Sequence, residues 1–414
     1  MSKLGTDSFK YRKLLFFVFV LTFLIGGSLQ VVGLISNTVM TVGIAFLLFL
    51  VYIKEKLQSV KDALPTKFFL VLMALIAVSG YSNKTPVFLI LLYMLLFAVI
   101  PALVSYIIIN NLRGKLHLLT KFLFVVGSLQ LPVIFIQQTF FSSILSVSAR
   151  SVSETDIGFG TFFVANDHGL GFFLLCLIVY LLFYKTGLRN GTRLFLIFWF
   201  SLTILFANSY ISLLLLAIVF LYFTVVNLNL RIVIVSFCSI GLFFMFLAFS
   251  GYQEVVEEKY MFIYKKIFEK DYESTAVDIV SQAKYAERGD ILLYFLEQTF
   301  EVIGSGPYSY FDPINKEFTL FPNFSQLLWF YNDIGFIGVI LVIIIFTRVY
   351  FKYNSLWSPA ILYLGMILVF SFFSNTLSDL AFNIVFYLFV VNGSDVLLKD
   401  KKGKVEKKVC STNN

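Results

Sequence analysis

A chain of 414 residues that is 59% hydrophobic and only 14% charged lacks the polar residues needed to clothe a soluble core of that size. This excludes an ordinary soluble enzyme. The formal net charge of +8 then bears on how basic residues orient the chain across a bilayer, and no nucleic-acid partner is expected. The expected fold class is all-α and integral to a membrane, one polytopic domain over residues 1–414 with about twelve transmembrane helices.

Apolar segments of roughly 17 to 25 residues match the thickness of a bilayer core. Twelve begin, in chain order, near Leu14, Asn37, Lys67, Pro86, Leu119, His168, Arg193, Ser209, Arg231, Phe324, Trp357 and Thr376. The third, "FFLVLMALIAVSGY", is short and would have to thin the bilayer or tilt little. The first two are separated only by "QVVGLISN". The run from Leu14 is too long for a cleavable signal peptide and has no small-residue cleavage site behind it.

Basic flanks set the orientation. With "MSKLGTDSFKYRK" cytoplasmic, "KEKLQSVKDALPTK", "NLRGKLHLLTK", "KTGLRNGTR", "FTRVYFKYN" and the basic tail 392–414 also fall inside. Both termini are therefore expected in the cytoplasm. The short outer turns "YSNKT", "ANSY" and "SN" share a single lysine. Two outer intervals are longer: one from about Phe141 to Asp167, and one over residues 251–323. The second holds 13 Asp/Glu against 7 Lys/Arg, so its arginine is not there to orient the chain.

Cys176 and Cys238 lie in apolar spans and Cys410 in the tail, which places no pair in an oxidising compartment. His117 and His168 are far apart and no Cys/His cluster has ligand spacing, so neither a metal nor another cofactor is expected. A nucleotide loop is missing too, because "GSGP" is followed by Tyr-Ser-Tyr rather than Lys-Ser/Thr.

Chemistry is left to the outer loops. Ile291, Leu292, Phe295, Leu296, Thr299, Phe300 and Ile303 line the apolar face of an expected amphipathic helix, with Asp290, Tyr294, Glu297 and Glu301 on the other. Arg288 projects from its first turn, near the apolar edge. Gly304 and Gly306 then end the helix and allow a turn that a β-carbon would resist. Such a helix at the membrane interface can hold a guanidinium where phosphates arrive. The competing reading of Arg288 is a solvated ion pair with Glu287 and Asp290.

The order "ERGDILLYFLEQTFEVIGSGPYSYF", an interval, then "PNFSQLLWFYNDIGFIGVILV" resembles the signature region of the bacterial O-antigen ligase and polymerase (Wzy-like) superfamily. In that family an arginine opens a helix in the largest periplasmic loop. A Gly-x-Gly turn follows, and a His-Asn-x-x-Leu element leads into a span with acidic-x-Gly-x-x-Gly. Arg288 matches the arginine, Gly304 and Gly306 the turn, and Asn323, Asp333, Gly335 and Gly338 the later positions. Upstream, "GFGTFFVANDHGLGFFLL" is similar to the family's Gly-x-Phe-x-x-x-Asn element, with Asn166 as the asparagine. "FANSYISLLLLAI" is similar to its Ser-Arg-rich turn, with Tyr210 where arginine is usual.

The resemblance implies a GT-C-like glycosyltransferase of the bacterial inner membrane, without a cofactor. It would join polyprenyl-pyrophosphate-linked oligosaccharide units outside that membrane, for an O-antigen, capsule or exopolysaccharide. Donor and acceptor are lipid-linked oligosaccharides, and membrane lipids and a chain-length regulator are further implied partners. Pro322 stands where the ligases carry their histidine, which favours polymerisation over ligation. Arg288 would grip the donor pyrophosphate by bidentate contacts, neutralising charge on the leaving group.

Arg150 is a second phosphate contact or an exposed loop charge. His168, beside Asp167, suits proton exchange near neutrality, or simply caps its span. Asp333 is either an acidic group inside an apolar span, which must be paired or face a cavity, or a hydrated residue opening that span after a separate piece, Phe324 to Tyr331. The rival from another class is a twelve-span flippase or transporter of lipid-linked sugars. Such folds usually show two related halves, and no internal repeat is visible here.

Overall fold

The computed structural model describes residues 14–31, 33–35, 37–56, 66–112, 116–140, 158–162, 167–184, 186–207, 209–227, 301–309, 311–312, 317–318, 325–353, 357–374 and 379–389. Among these the fold is all-α apart from one two-residue β ladder. The helices are α1 (Leu14–Gln30), α2 (Asn37–Lys56), α3 (Thr66–Ser82), α4 (Val87–Ile109), α5 (Leu116–Thr139), α6 (Asp167–Phe183), α7 (Asn190–Phe206), α8 (Tyr210–Asn227), α9 (Gln326–Tyr353), α10 (Trp357–Phe373) and α11 (Leu380–Phe389). They stand where eleven of the twelve apolar segments are expected. The segment near Arg231, the expected helix from Arg288 to Phe300 and the tail 392–414 lie outside the described residues.

Among the described residues, three helices are long and apolar enough to cross a membrane: Val87–Ile109, Leu119–Thr139 and Gln326–Lys352. The apolar stretches of the other eight run 10–17 residues. At 1.5 Å per residue, even 17 residues reach only about 25 Å, short of a bilayer core of about 30 Å.

The chain divides into two compact units. One comprises Met1–Leu213, Glu301–Ser309 and Asn323–Asn414. The other comprises Leu214–Phe300 and Tyr310–Pro322, where the ladder pairs β1 (Phe311–Asp312) antiparallel with β2 (Glu317–Phe318).

In the first unit α6 is apolar on every side, and each residue from Leu170 to Leu181 is buried, as befits a helix surrounded by others. It packs against α5, α7 and α10. Phe172 also stacks on Phe382 of α11, with ring centroids 4.3 Å apart. Arg193 at the start of α7 donates from its guanidinium to the Leu182 carbonyl at 2.8 Å, satisfying an end-of-helix acceptor of α6.

Pro132 inside α5 has no N–H for the Ser128 carbonyl. The indole nitrogen of Trp199 in α7 donates to that carbonyl at 3.0 Å. The outer helices face two ways. On α7, Ile197, Phe200 and Ile204 are buried whereas Leu194, Phe195 and Phe198 are more than half exposed. On α2, Ile44, Leu48 and Val51 are buried and Val42, Phe46 and Phe49 exposed. Bulky apolar side chains at helical spacing on the outside are what a helix presents to an apolar surrounding.

Candidate functional site

Helix α9 breaks at Gly335, whose φ of 73° and ψ of −176° lie outside the helical range. A break frees two ladder pairs, since the N–H groups of Phe336 and Ile337 would otherwise serve the carbonyls of Asn332 and Asp333. All four groups are taken by one short segment, Glu301–Gly306. Phe336 N–H donates to the Glu301 carbonyl at 3.1 Å and Ile337 N–H to that of Val302 at 3.4 Å. Ser305 N–H donates to the Asn332 carbonyl at 2.7 Å and Gly306 N–H to that of Asp333 at 3.0 Å. Broken helices in apolar surroundings are tolerated when the freed backbone groups are bonded again.

Close approach dictates the glycines. Gly304 and Gly306 sit at φ 81° and 97°, a region that residues with a β-carbon seldom enter. A β-carbon on Gly304 would lie 2.5 Å from the Gly335 nitrogen and 2.7 Å from that of Ile334. One on Gly335 would collide with the Val302 carbonyl. The expected amphipathic helix therefore does not continue through Glu301 to Ile303. Those residues are not helical, because their backbone groups bond to α9 instead.

Asp333 fixes the following turn. It is fully buried, so it is not a hydrated residue opening the span. The nine residues before Gly335, Gln326 to Ile334, do form a separate helical piece. Its Oδ2 accepts the Tyr308 N–H at 3.2 Å, and its Oδ1 accepts the Ser309 N–H at 3.3 Å and the Ser309 hydroxyl at 2.9 Å. Asn332 donates its amide to Ser309 Oγ at 2.6 Å. Tyr308 takes a positive φ of 59°, uncommon for a bulky residue, and the carboxylate holds it there. Burial, reinforced by neighbouring Asp333, pushes the Tyr308 phenol above its usual range, so it stays neutral.

Aromatic rings surround this turn. Tyr93 of α4 meets the Tyr308 ring edge to face at 5.2 Å, and Trp329 does so at 6.2 Å. The turn between α3 and α4 closes the other side. Ser79 donates to the Asp333 carbonyl at 2.7 Å and Asn83 to the Gly304 carbonyl at 3.0 Å. A β-carbon on Gly306 would stand 2.7 Å from Thr85 Oγ1. Lys84, in the turn between α3 and α4, is exposed here at φ 57°.

The upstream element is held in a similar way. Gly160 N–H donates to Gln137 Oε1 at 2.9 Å, and Gln137 Nε2 donates to the Gly160 carbonyl at 2.7 Å. Gln130 accepts the Thr161 N–H and donates to Thr161 Oγ1, both at 2.9 Å. Thr161 in turn bridges α1 beside its π-helical turn, Leu21–Ile25. Its hydroxyl donates to the Phe23 carbonyl, and its own carbonyl accepts the Gly27 N–H at 3.3 Å. His168 Nδ1 lies 3.2 Å from Ser209 Oγ, which lies 2.8 Å from Ser212 Oγ. The upstream element and the "FANSYIS" turn thus meet through His168 and Ser209.

Of the residues singled out from sequence, Gly304, Gly306 and Asp333 come together and His168 belongs to the second cluster. Arg288, Arg150, Asn166 and Asn323 lie outside the described residues. Ser79, Asn83, Tyr93, Tyr308 and Ser309 were not singled out. The only available signal was for Ser309, two residues into "PYSYF" after the glycine turn; the others sit in ordinary apolar or turn contexts. Among the described residues no three His, Cys, Asp or Glu side chains are grouped as a metal site. Neither a protein-family model nor a curated protein sequence matches the chain.

Proposed function

We propose that the chain is an integral membrane polymerase that joins polyprenyl-pyrophosphate-linked oligosaccharide units on the outer side of a bacterial inner membrane. Three helices that can cross a bilayer and the exposed apolar faces of α2 and α7 support the membrane setting. In this reading the shorter apolar helices complete a twelve-span bundle with both termini cytoplasmic.

One observation carries the glycan reading. The Gly304-x-Gly306 turn and the Asp333-x-Gly335 break are about thirty residues apart in sequence, and they interlock in space. Both belong to the pattern on which the family resemblance rests. The interlock holds Glu301–Gly306 on α9, and in this reading Arg288, which opens the preceding stretch of sequence, is a phosphate-gripping guanidinium. Pre-organised charge of that kind is the usual way to stabilise a leaving group without a metal. Arg288 would contact the donor pyrophosphate, with Arg150 as a second phosphate contact. His168, backed by Ser209, is the candidate for taking up the acceptor's proton.

The transporter alternative also draws on a broken helix, because secondary transporters bind substrate at half-helix ends. In α9, however, the freed backbone groups at the break are already bonded by Glu301–Gly306, which leaves them unavailable to a passing substrate. Ligation to another acceptor is the nearer alternative, and Pro322 in place of the ligases' histidine weighs against it. The fate of lipid-linked glycan in a deletion strain separates these readings. Loss of a polymerase leaves single units attached to the usual acceptor, loss of a flippase leaves them unexported, and loss of a ligase leaves polymer on its lipid carrier.

A further inference from the structure

Gln326, the first residue of α9, is fully buried. Among the described residues neither its Oε1 nor its Nε2 has a hydrogen-bond partner. Buried amides without partners destabilise a fold and are rare; an unbranched apolar side chain would fill the same volume without that cost. The local structure does not require the amide. Ser325 caps the first turn, its hydroxyl accepting the Leu328 N–H at 3.3 Å. The Gln326 N–H is itself served by the Ser374 carbonyl at the end of α10, at 3.3 Å.

The chemistry of the side chain narrows what it awaits. A primary amide offers two donors and an acceptor on one flat head. A phosphate, which only accepts, would leave its oxygen unpaired, and a cation would leave its nitrogen unpaired. Two adjacent hydroxyls on a sugar ring each donate and accept, so they satisfy both atoms at once. Gln326 lies seven residues before Asp333, on the helical piece that precedes the break.

We infer that Gln326 is a binding residue for a hydroxyl pair of the carbohydrate unit, an assignment that rests on the glycan-polymerase reading above. The test compares Gln326→Met with wild-type protein, both purified in nanodiscs and supplied with the lipid-linked repeat unit. Removing an unpaired amide raises the Tm of the unliganded protein by about 1–3 °C. Losing a contact made equally in the ground and transition states raises the KM for the lipid-linked unit about tenfold and leaves kcat within about twofold. A lowered Tm, or a KM equal to that of wild type, overturns the assignment alone, and a merely water-filled pocket would give the second result. A wild-type protein that extends no lipid-linked unit overturns the polymerase reading, and this assignment with it.

Discussion

Gly304 lies against the backbone of Gly335, which occupies the space that a β-carbon on Gly304 would need, while the Val302–Ile303 backbone fills the space beside Gly335. The Gly304 β-carbon would stand 2.5 Å from the Gly335 nitrogen, and that of Gly335 would strike the Val302 carbonyl. Both residues also hold positive φ. Steric exclusion and backbone strain therefore act together, and neither can be relieved by a side chain moving aside.

Gly304→Ala and Gly335→Ala are each expected to lower stability by about 2 kcal/mol or more, from strain at positive φ plus the clash. Gly43→Ala is the control. It lies within α2, where an added β-carbon would meet nothing inside 4 Å, and should stabilise the chain by about 0.5–1 kcal/mol. Thermal unfolding in detergent reads both, and equal effects at Gly43 and Gly304 would refute the interlock.

Asp333→Ala removes the acceptor for two backbone N–H groups and the Ser309 hydroxyl within a buried turn. A cost of about 3 kcal/mol is expected, against about 1–2 kcal/mol for Ser309→Ala, which removes the hydroxyl's bonds to Asp333 and Asn332 but leaves both backbone N–H groups their acceptor. Limited proteolysis across residues 301–309 should quicken far more in the first variant than in the second.

Gln130 and Gln137 each exchange a pair of hydrogen bonds with the Gly160–Thr161 backbone or side chain. Gln137→Leu leaves both polar groups of Gly160 without their partner and is expected to cost about 2–3 kcal/mol. Gln138→Leu, at an exposed amide that donates to the Phe206 carbonyl, should cost about 1 kcal/mol or less. Similar losses in the two variants would show that the loop is held by something else.

Orientation has a direct check. Reporter fusions at Lys61, Arg189 and Lys352 should read cytoplasmic, and fusions at Glu154 and Tyr272 should read outside. A cytoplasmic signal at Tyr272 would put Arg288 in the wrong compartment for lipid-linked donors.

Helix positions were legible because apolar runs broken by basic or glycine-bearing turns report them directly, as at Asn37, Trp357 and His168. The lengths were less so: the run from Lys67 contains Ser79 and Gly80, and whether they end a span or sit inside it depends on partners far away in sequence. Ser79 proves to donate to the Asp333 carbonyl, a contact that no local pattern announces. The glycine turn was legible because a positive φ leaves its mark on residue type. The extension of the amphipathic pattern to Ile303 misled, since apolar Val302 and Ile303 fit a helical face equally well when their backbone is bonded to a broken helix. Gln130 and Gln137 were invisible as anchors, because glutamine within an apolar run carries no sign of its partner.

The central claim is that Arg288 holds the donor pyrophosphate during polymerisation, and a rate measured with purified protein and lipid-linked repeat units tests it most directly. Wild-type protein should lengthen the glycan. Arg288→Ala should retain the wild-type Tm and lose roughly a hundred- to thousand-fold in rate, or about 2.7–4 kcal/mol, as on removal of one preorganised donor to a developing anion. Arg288→Lys should fall between, keeping the charge without the paired hydrogen bonds. A well-folded Arg288→Ala protein that polymerises at the wild-type rate would contradict the claim.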